Sequence, residues 1–148
     1  MPLARTTVRV AILVALAACL SNAAGADSCE MLYSIQDPGE ALVSKTSQLQ
    51  LCPTHSKEHF VLRSRDAHGS AGERSITLAE SDVLRTNVGE ALRRLHARAQ
   101  APKPEECWHR IRVVGYVSGE FTICPGTGPE LQYLAEIART ETRKSPYR

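Results

Sequence analysis

Four cysteines constrain this chain more than any other feature: Cys29, Cys52, Cys107 and Cys124 lie 23, 55 and 17 residues apart in a chain of 148. Structural zinc sites gather their ligands in close pairs such as C-x2-C, and none of these spacings supplies one. The remaining use of an even set is two disulfides, which an oxidising compartment favours and a small core benefits from. Three connectivities are open in principle. Proximity along the chain points to Cys29 with Cys52 and Cys107 with Cys124. The second pair meets a local objection. A two-residue turn at Ser118-Gly119 sets Val113 opposite Cys124, which leaves Cys107 six residues, or about 20 Å, further along an extended strand. That pair therefore requires the chain to bend before Ile111, and it stays open at this point.

A fifth cysteine, Cys19, belongs to a leader. Arg5 and Arg9 stand in a start without acidic residues, and Val10 to Leu20 is an apolar run of eleven. Eleven helical residues rise only about 16 Å, too short for the hydrocarbon core of a bilayer, and the run reads as an export signal. Small residues at Ala24-Gly25-Ala26 suit a cut that leaves residues 1–26 as the signal and starts the mature chain at Asp27. A second exit competes. Leu16-Ala17-Ala18-Cys19 resembles the lipobox of bacterial lipoproteins, which implies a lipidated Cys19 as the first mature residue, although Arg9 leaves a short apolar stretch before the box. An uncut anchor is the third. Contact with a membrane is expected only if Cys19 is lipidated.

Loss of the leader also changes the charge. The chain carries 18 Lys plus Arg against 16 Asp plus Glu, and removal of Arg5 and Arg9 leaves 16 − 16 = 0 with histidines neutral. A neutral chain lacks the positive field of a general nucleic-acid binder. Residues 27–148 suffice for one disulfide-stabilised domain, and Gln100 to Glu106, with two prolines, is its one linker-like stretch.

Phe60 to Arg65 and Arg74 to Ala79 alternate in the manner of half-buried strands, which predicts a hairpin with a long polar tip at Asp66 to Glu73. Ser81 and Asp82 then supply an N-cap and a first-turn carboxylate. Leu84, Val88, Ala91, Leu92 and Leu95 follow at helical spacing, and Gly89 costs that helix about 1 kcal/mol relative to alanine. The Ser118-Gly119 turn predicts a second hairpin in which Val114 faces Ile123 and Tyr116 faces Phe121 on one apolar side. Thr127 and Glu130 have the spacing of a capping box, with Pro129 in the first turn and an apolar stripe of Leu131, Leu134, Ala135 and Ala138. Arg143 to Arg148 reads as a frayed tail. Leu42 to Val43 and Leu49 to Leu51 are candidates for short strands, while Pro38-Gly39 and the Ser, Thr and Gln content argue that Asp27 to Leu51 is a loop-rich region tied down by Cys29 and Cys52. The fold class that results is α+β: a small single domain in which an antiparallel sheet of hairpins is covered on one face by two helices and held by two disulfides.

Chemical motifs are few. His55-Ser56-Lys57-Glu58-His59 matches the H-x-x-E-H pattern of inverted-motif zinc peptidases, in which two histidines one helical turn apart bind zinc and the glutamate activates water. Cys52-Pro53 before it and the strand from Phe60 after it leave barely one turn, and no third ligand stands out. An exposed connection explains the stretch as well. Arg85, Arg93, Arg94 and Arg98 offer an anion-binding or headgroup-binding surface, with a solvated helix face as the plainer reading. Gly126-Thr127-Gly128 lacks the lysine and loop length of a P-loop. Glu105-Glu106 has no facing acid, and no G-x-S-x-G elbow occurs. Trp108 beside Cys107 reads as packing on a disulfide.

These residues lead to an exported, periplasmic or secreted binding module without a cofactor. Its expected partner is another protein, in the manner of an inhibitor, an immunity protein or an envelope-associated factor. A small zinc hydrolase built on His55, Glu58 and His59 is the rival from another class, and a lipoprotein anchored through Cys19 is the third reading.

Overall fold

The computed structural model describes residues 28–39, 45–101, 106–126 and 128–144. The leader, with Cys19, lies outside them, as do Thr127 and most of the expected tail.

Six strands form one antiparallel sheet in the order β4-β3-β2-β1-β5-β6. They are β1 (Glu30–Asp37), β2 (Lys45–Pro53), β3 (His59–Arg65), β4 (Ala71–Thr77), β5 (Ile111–Gly115) and β6 (Gly119–Ile123), with helices α1 (Leu78–Ala99) and α2 (Pro129–Arg143). The first four strands make a meander, and β5 then returns to the free edge of β1, pairing Tyr33 with Gly115 and Ile35 with Val113. The expected loop-rich start is corrected here. Residues 30–37 and 45–53 are two long strands, and β1 lies between β2 and β5. Their Ser, Thr and Gln residues, which argued for loops, include Gln36, Gln48 and Gln50 at the alternate positions that face away from the helices.

The ladder aligns Tyr33 with Leu49 and Ser64, Leu51 with Leu62, and Phe60 with Ile76, so one face of the sheet is apolar. Both helices lie on that face, and Leu49, Leu51, Leu62, Ile76, Val88, Leu92, Leu95 and Leu134 are fully or almost fully buried between the layers. Each such aliphatic side chain stabilises the fold by about 1.5 to 3 kcal/mol. Tyr33 joins the layers directly, its buried hydroxyl donating to the Leu134 carbonyl oxygen at 2.5 Å. Burial pushes this phenol well above its ordinary range.

Helix α1 starts four residues before the expected Ser81-Asp82 cap. Its N-cap is Thr77, whose hydroxyl accepts from the Glu80 N–H at 3.2 Å while its own N–H donates to the Glu80 carboxylate at 2.7 Å. This capping box wins because Ser81 points into the core, where its hydroxyl donates to the Leu78 carbonyl at 2.7 Å. The tip of the β3–β4 hairpin is likewise shorter than Asp66 to Glu73. Asp66 accepts from the N–H groups of His68 and Ser70, Gly69 takes φ 85°, and β4 begins at Ala71.

The β5–β6 register also differs from the expected one. The chain turns through Tyr116-Val117-Ser118 and closes on Gly119 at φ 67°, which pairs Val113 with Phe121 and Ile111 with Ile123. Ile111, Val113, Phe121 and Ile123 therefore form the buried face, and Val114 and Tyr116 do not belong to it. Tyr116 instead reaches over α1, where its hydroxyl donates to the Arg85 carbonyl at 2.6 Å. Gly89 makes that reach feasible: a Cβ there lies 2.8 Å from the Tyr116 oxygen. The new register also dissolves the objection to the second disulfide. Extending the Ile111–Ile123 pairing by one step sets Cys124 near Arg110, and the bend at Trp108 and His109 brings Cys107 back to it. Both disulfides form, Cys29–Cys52 with Cα atoms 4.1 Å apart and Cys107–Cys124 with Cα atoms 5.8 Å apart.

Helix α2 opens at Gly128 without a side-chain cap. Glu130 does not close a capping box, because both of its oxygens accept from Arg98 of α1, at 2.6 and 3.1 Å. The far end of α2 is fixed by Arg74, which donates to Glu141 at 2.5 Å. Burial pushes the Glu141 carboxyl up, and the hydrogen bonds from Arg74 and Lys144 outweigh it, so its pKa falls below the ordinary 4.5.

Candidate functional site

The helices leave one end of the sheet uncovered. There the end of β1, the start of β2, the β6–α2 connection and the first turns of α2 enclose a cleft of about 560 Å³. Ile35, Ile111, Leu131 and Ala135 supply its apolar walls, and Asp37, Lys45, Ser47 and Gln132 its polar groups. Strand alternation explains the set. Ile35 pairs with Ser47 and Asp37 with Lys45, so all four share the helix-side face just beyond the reach of α2. Asp37 accepts from the Gly39 N–H at 2.9 Å and lies 3.1 Å from His109 Nε2. Lys45 stands opposite Asp37 in the ladder yet forms no ion pair among the described residues.

Residues 107–109 do not line this cleft but are tied to its walls at both ends. Cys107 is bonded to Cys124, whose neighbour Pro125 lines the cleft, and His109 meets Asp37, which lines it too. Between them stands Trp108, the single tryptophan of the chain, and it is fully exposed. The expectation that it packs on the disulfide is corrected: the backbone bends at Trp108 and His109, and the indole is left in solvent. No periodicity signals this, because residues 106–110 belong to no strand or helix.

The opposite face of the sheet carries Ser34, Gln36, Gln48, Gln50, Arg63, Arg65 and Arg112, with Arg63 bonded to Glu73 at 2.8 Å and Arg112 to Glu120 at 2.7 Å. These are side chains that suit water, and neither helix crosses them. The Cys29–Cys52 bond joins directly opposed ends of β1 and β2 on this side, with Arg63 3.7 Å from the Cys29 sulfur.

His55, Glu58 and His59 fall on the β2–β3 connection and the first residue of β3, all exposed. Thr54 organises the turn, accepting from the Ser56 N–H at 3.2 Å and donating to the His59 carbonyl at 2.9 Å. The stretch is not helical, so the two histidines lose the one-turn spacing that the zinc-peptidase pattern needs. Among the described residues no group of three or more His, Cys, Asp or Glu is placed to hold a metal ion. The four candidate arginines are dispersed, and Arg85 is bonded to Glu30 of β1 at 2.7 Å. Arg98 is engaged by Glu130, Arg94 lies 3.6 Å from Glu90 at the groove between the helices, and Arg93 is exposed on α1.

Among the described residues no helix is long and apolar enough to cross a membrane. Comparison with protein-family models, with curated proteins and with solved structures returned no match.

Proposed function

We propose that this chain is an exported, non-catalytic binding module of the periplasm or the cell exterior, and that it engages another protein through a surface centred on Trp108. Export is supported by the leader and by two disulfides, which persist in oxidising surroundings. The observation that carries the binding reading is the exposure of Trp108 on a segment held by a disulfide on one side and by His109–Asp37 on the other. A tryptophan buries about 150–250 Å² when covered, and tryptophan is among the residues most enriched where binding energy concentrates. Because the segment is already fixed, little freedom is lost when a partner covers it.

The test is affinity capture with crosslinking from the native envelope and extracellular fractions, using the disulfide-bonded protein and its Trp108→Ala variant as baits. One enriched protein that the variant fails to retain, with unchanged thermal stability of the bait, is the expected result. A partner retained equally by both baits overturns the assignment to Trp108, and repeated absence of any partner overturns the binding module.

A further inference from the structure

We propose that the cleft beside residues 107–109 is a carboxylate-binding site, which takes a single carboxylate carried on a short apolar group. This inference goes beyond the protein partner and does not rest on it.

Ser47 is the first observation. It is only 4% exposed, it lines the cleft, and its hydroxyl forms no hydrogen bond with any described residue. Among the described residues no fully buried side-chain oxygen lacks a partner, so this hydroxyl keeps its opening to the cleft, where it can donate to a ligand oxygen. Lys45 is the second. It lies two residues away on the same face, and its ammonium is unpaired among the described residues because Asp37 is turned to His109 and Gly39. The third is the start of α2. With glycine as its N-cap, α2 has no side-chain cap among the described residues; the Gly128 N–H is taken by the Gly126 carbonyl at 2.9 Å and Pro129 has none, which leaves the Leu131 N–H as the first-turn donor that lines the cleft. This donor and the helix dipole favour an anion.

The same cleft sets the ligand's charge and shape. Asp37 is an anion on its wall, so one negative charge is tolerated and a phosphate dianion is repelled. Glu130 sits in the first turn of α2, but Arg98 holds both of its oxygens. Beyond the polar end, Ile35, Ile111, Leu131 and Ala135 offer an apolar lining, and about 560 Å³ suits a branched aliphatic group or a terminal dipeptide. The carboxylate has two natural sources: the last residue of a polypeptide, or a free short-chain acid.

The experiment uses the isotopically labelled, disulfide-bonded protein and four probes: N-acetyl-leucyl-leucine, its C-terminal amide, isocaproate and inorganic phosphate. Calorimetry and amide chemical shifts at Ser47, Leu131 and Ala135 are the readouts. Saturable binding of one or both acids with shifts at these residues is expected, with the amide and phosphate at least about tenfold weaker. Lys45→Met and Ser47→Ala are each expected to weaken the acids about fivefold or more at unchanged thermal stability, since Lys45 is exposed and Ser47 small. Saturation by the dipeptide alone assigns the source to a chain terminus, and saturation by isocaproate assigns it to free acids. Equal binding of the amide, tighter binding of phosphate, affinity unmoved by both substitutions, or no saturation by either acid overturns the proposal.

Discussion

Neighbouring residues on the central and outer strands meet opposite surroundings. On β2, Leu49 is fully buried under the helices, and Gln48 faces the uncovered side. On β4, Arg74 reaches Glu141 beneath α2 at 2.5 Å, and Glu73 holds Arg63 in solvent at 2.8 Å. Pairs of similar geometry thus occupy two dielectric settings separated by one residue. The covered face holds the fold together, and the uncovered face keeps its register and solubility with interactions that water largely screens.

The largest effect is expected where the covered face is emptied. Leu49→Ala should lower stability by about 2 to 5 kcal/mol, and its neighbour Gln48→Ala by less than about 0.5, as read from urea unfolding midpoints. Equal losses would erase the distinction between the faces.

Replacing Cys29 and Cys52 together by alanine should cost about 3 kcal/mol although the bond lies on the uncovered side, because the bond restricts the unfolded chain over a separation of 23 residues. The Cys107, Cys124 pair, with a separation of 17, should cost a similar amount in the same denaturation series. Only this second variant should also release the partner captured through Trp108. A loss of capture in both variants would mean that the first bond shapes the contact surface as well.

Arg74→Met should cost about 2 kcal/mol near neutral pH, against about 0.5 for Arg63→Met. The pH dependence separates them further. The Glu141 pKa is depressed below its ordinary 4.5 in the folded state, so its contribution is complete above that value and is lost as pH falls through the depressed native one. The stability gap between the parent and Arg74→Met should therefore narrow in acid, as followed by thermal melts from pH 7 to 2.5, while the Arg63→Met gap stays small throughout.

Gly89→Ala is the smallest and the most diagnostic. Propensity alone predicts a gain of about 1 kcal/mol. Contact with the Tyr116 oxygen at 2.8 Å predicts a net loss of about 1 kcal/mol instead, and pairing the change with Tyr116→Ala should restore the gain.

Periodicity made the covered face legible. Val88, Ala91, Leu92 and Leu95 declared α1, Leu134 and Ala138 declared α2, and the alternation of Phe60 and Leu62 declared β3. The uncovered face misled because its glutamines and serines carry loop propensity, while their partners in the ladder are set by strands distant in sequence. Turn chemistry was the other weak point. Ser118-Gly119 fits a two-residue hairpin, yet Gly115 pairs with Gly119 around a three-residue turn, with Leu92 packed so close that a Cβ at Gly115 meets it at 2.7 Å. At the candidate site, the cysteines were legible from their number and spacing. The exposure of Trp108 was not, since it depends on a bend outside every periodic element. Ser47 and Lys45 were silent for a different reason: only the distant arrival of α2 turns their strand positions into cleft positions.

The place of β1 has a consequence for synthesis and transport. One edge of β1 waits for Arg112 to Gly115, about 80 residues later in the chain. A polypeptide emerging amino end first must present that edge bare, next to a hairpin already able to form. During this interval it offers a template to any passing extended segment, which makes pairing between unfinished chains a hazard when the protein is overproduced.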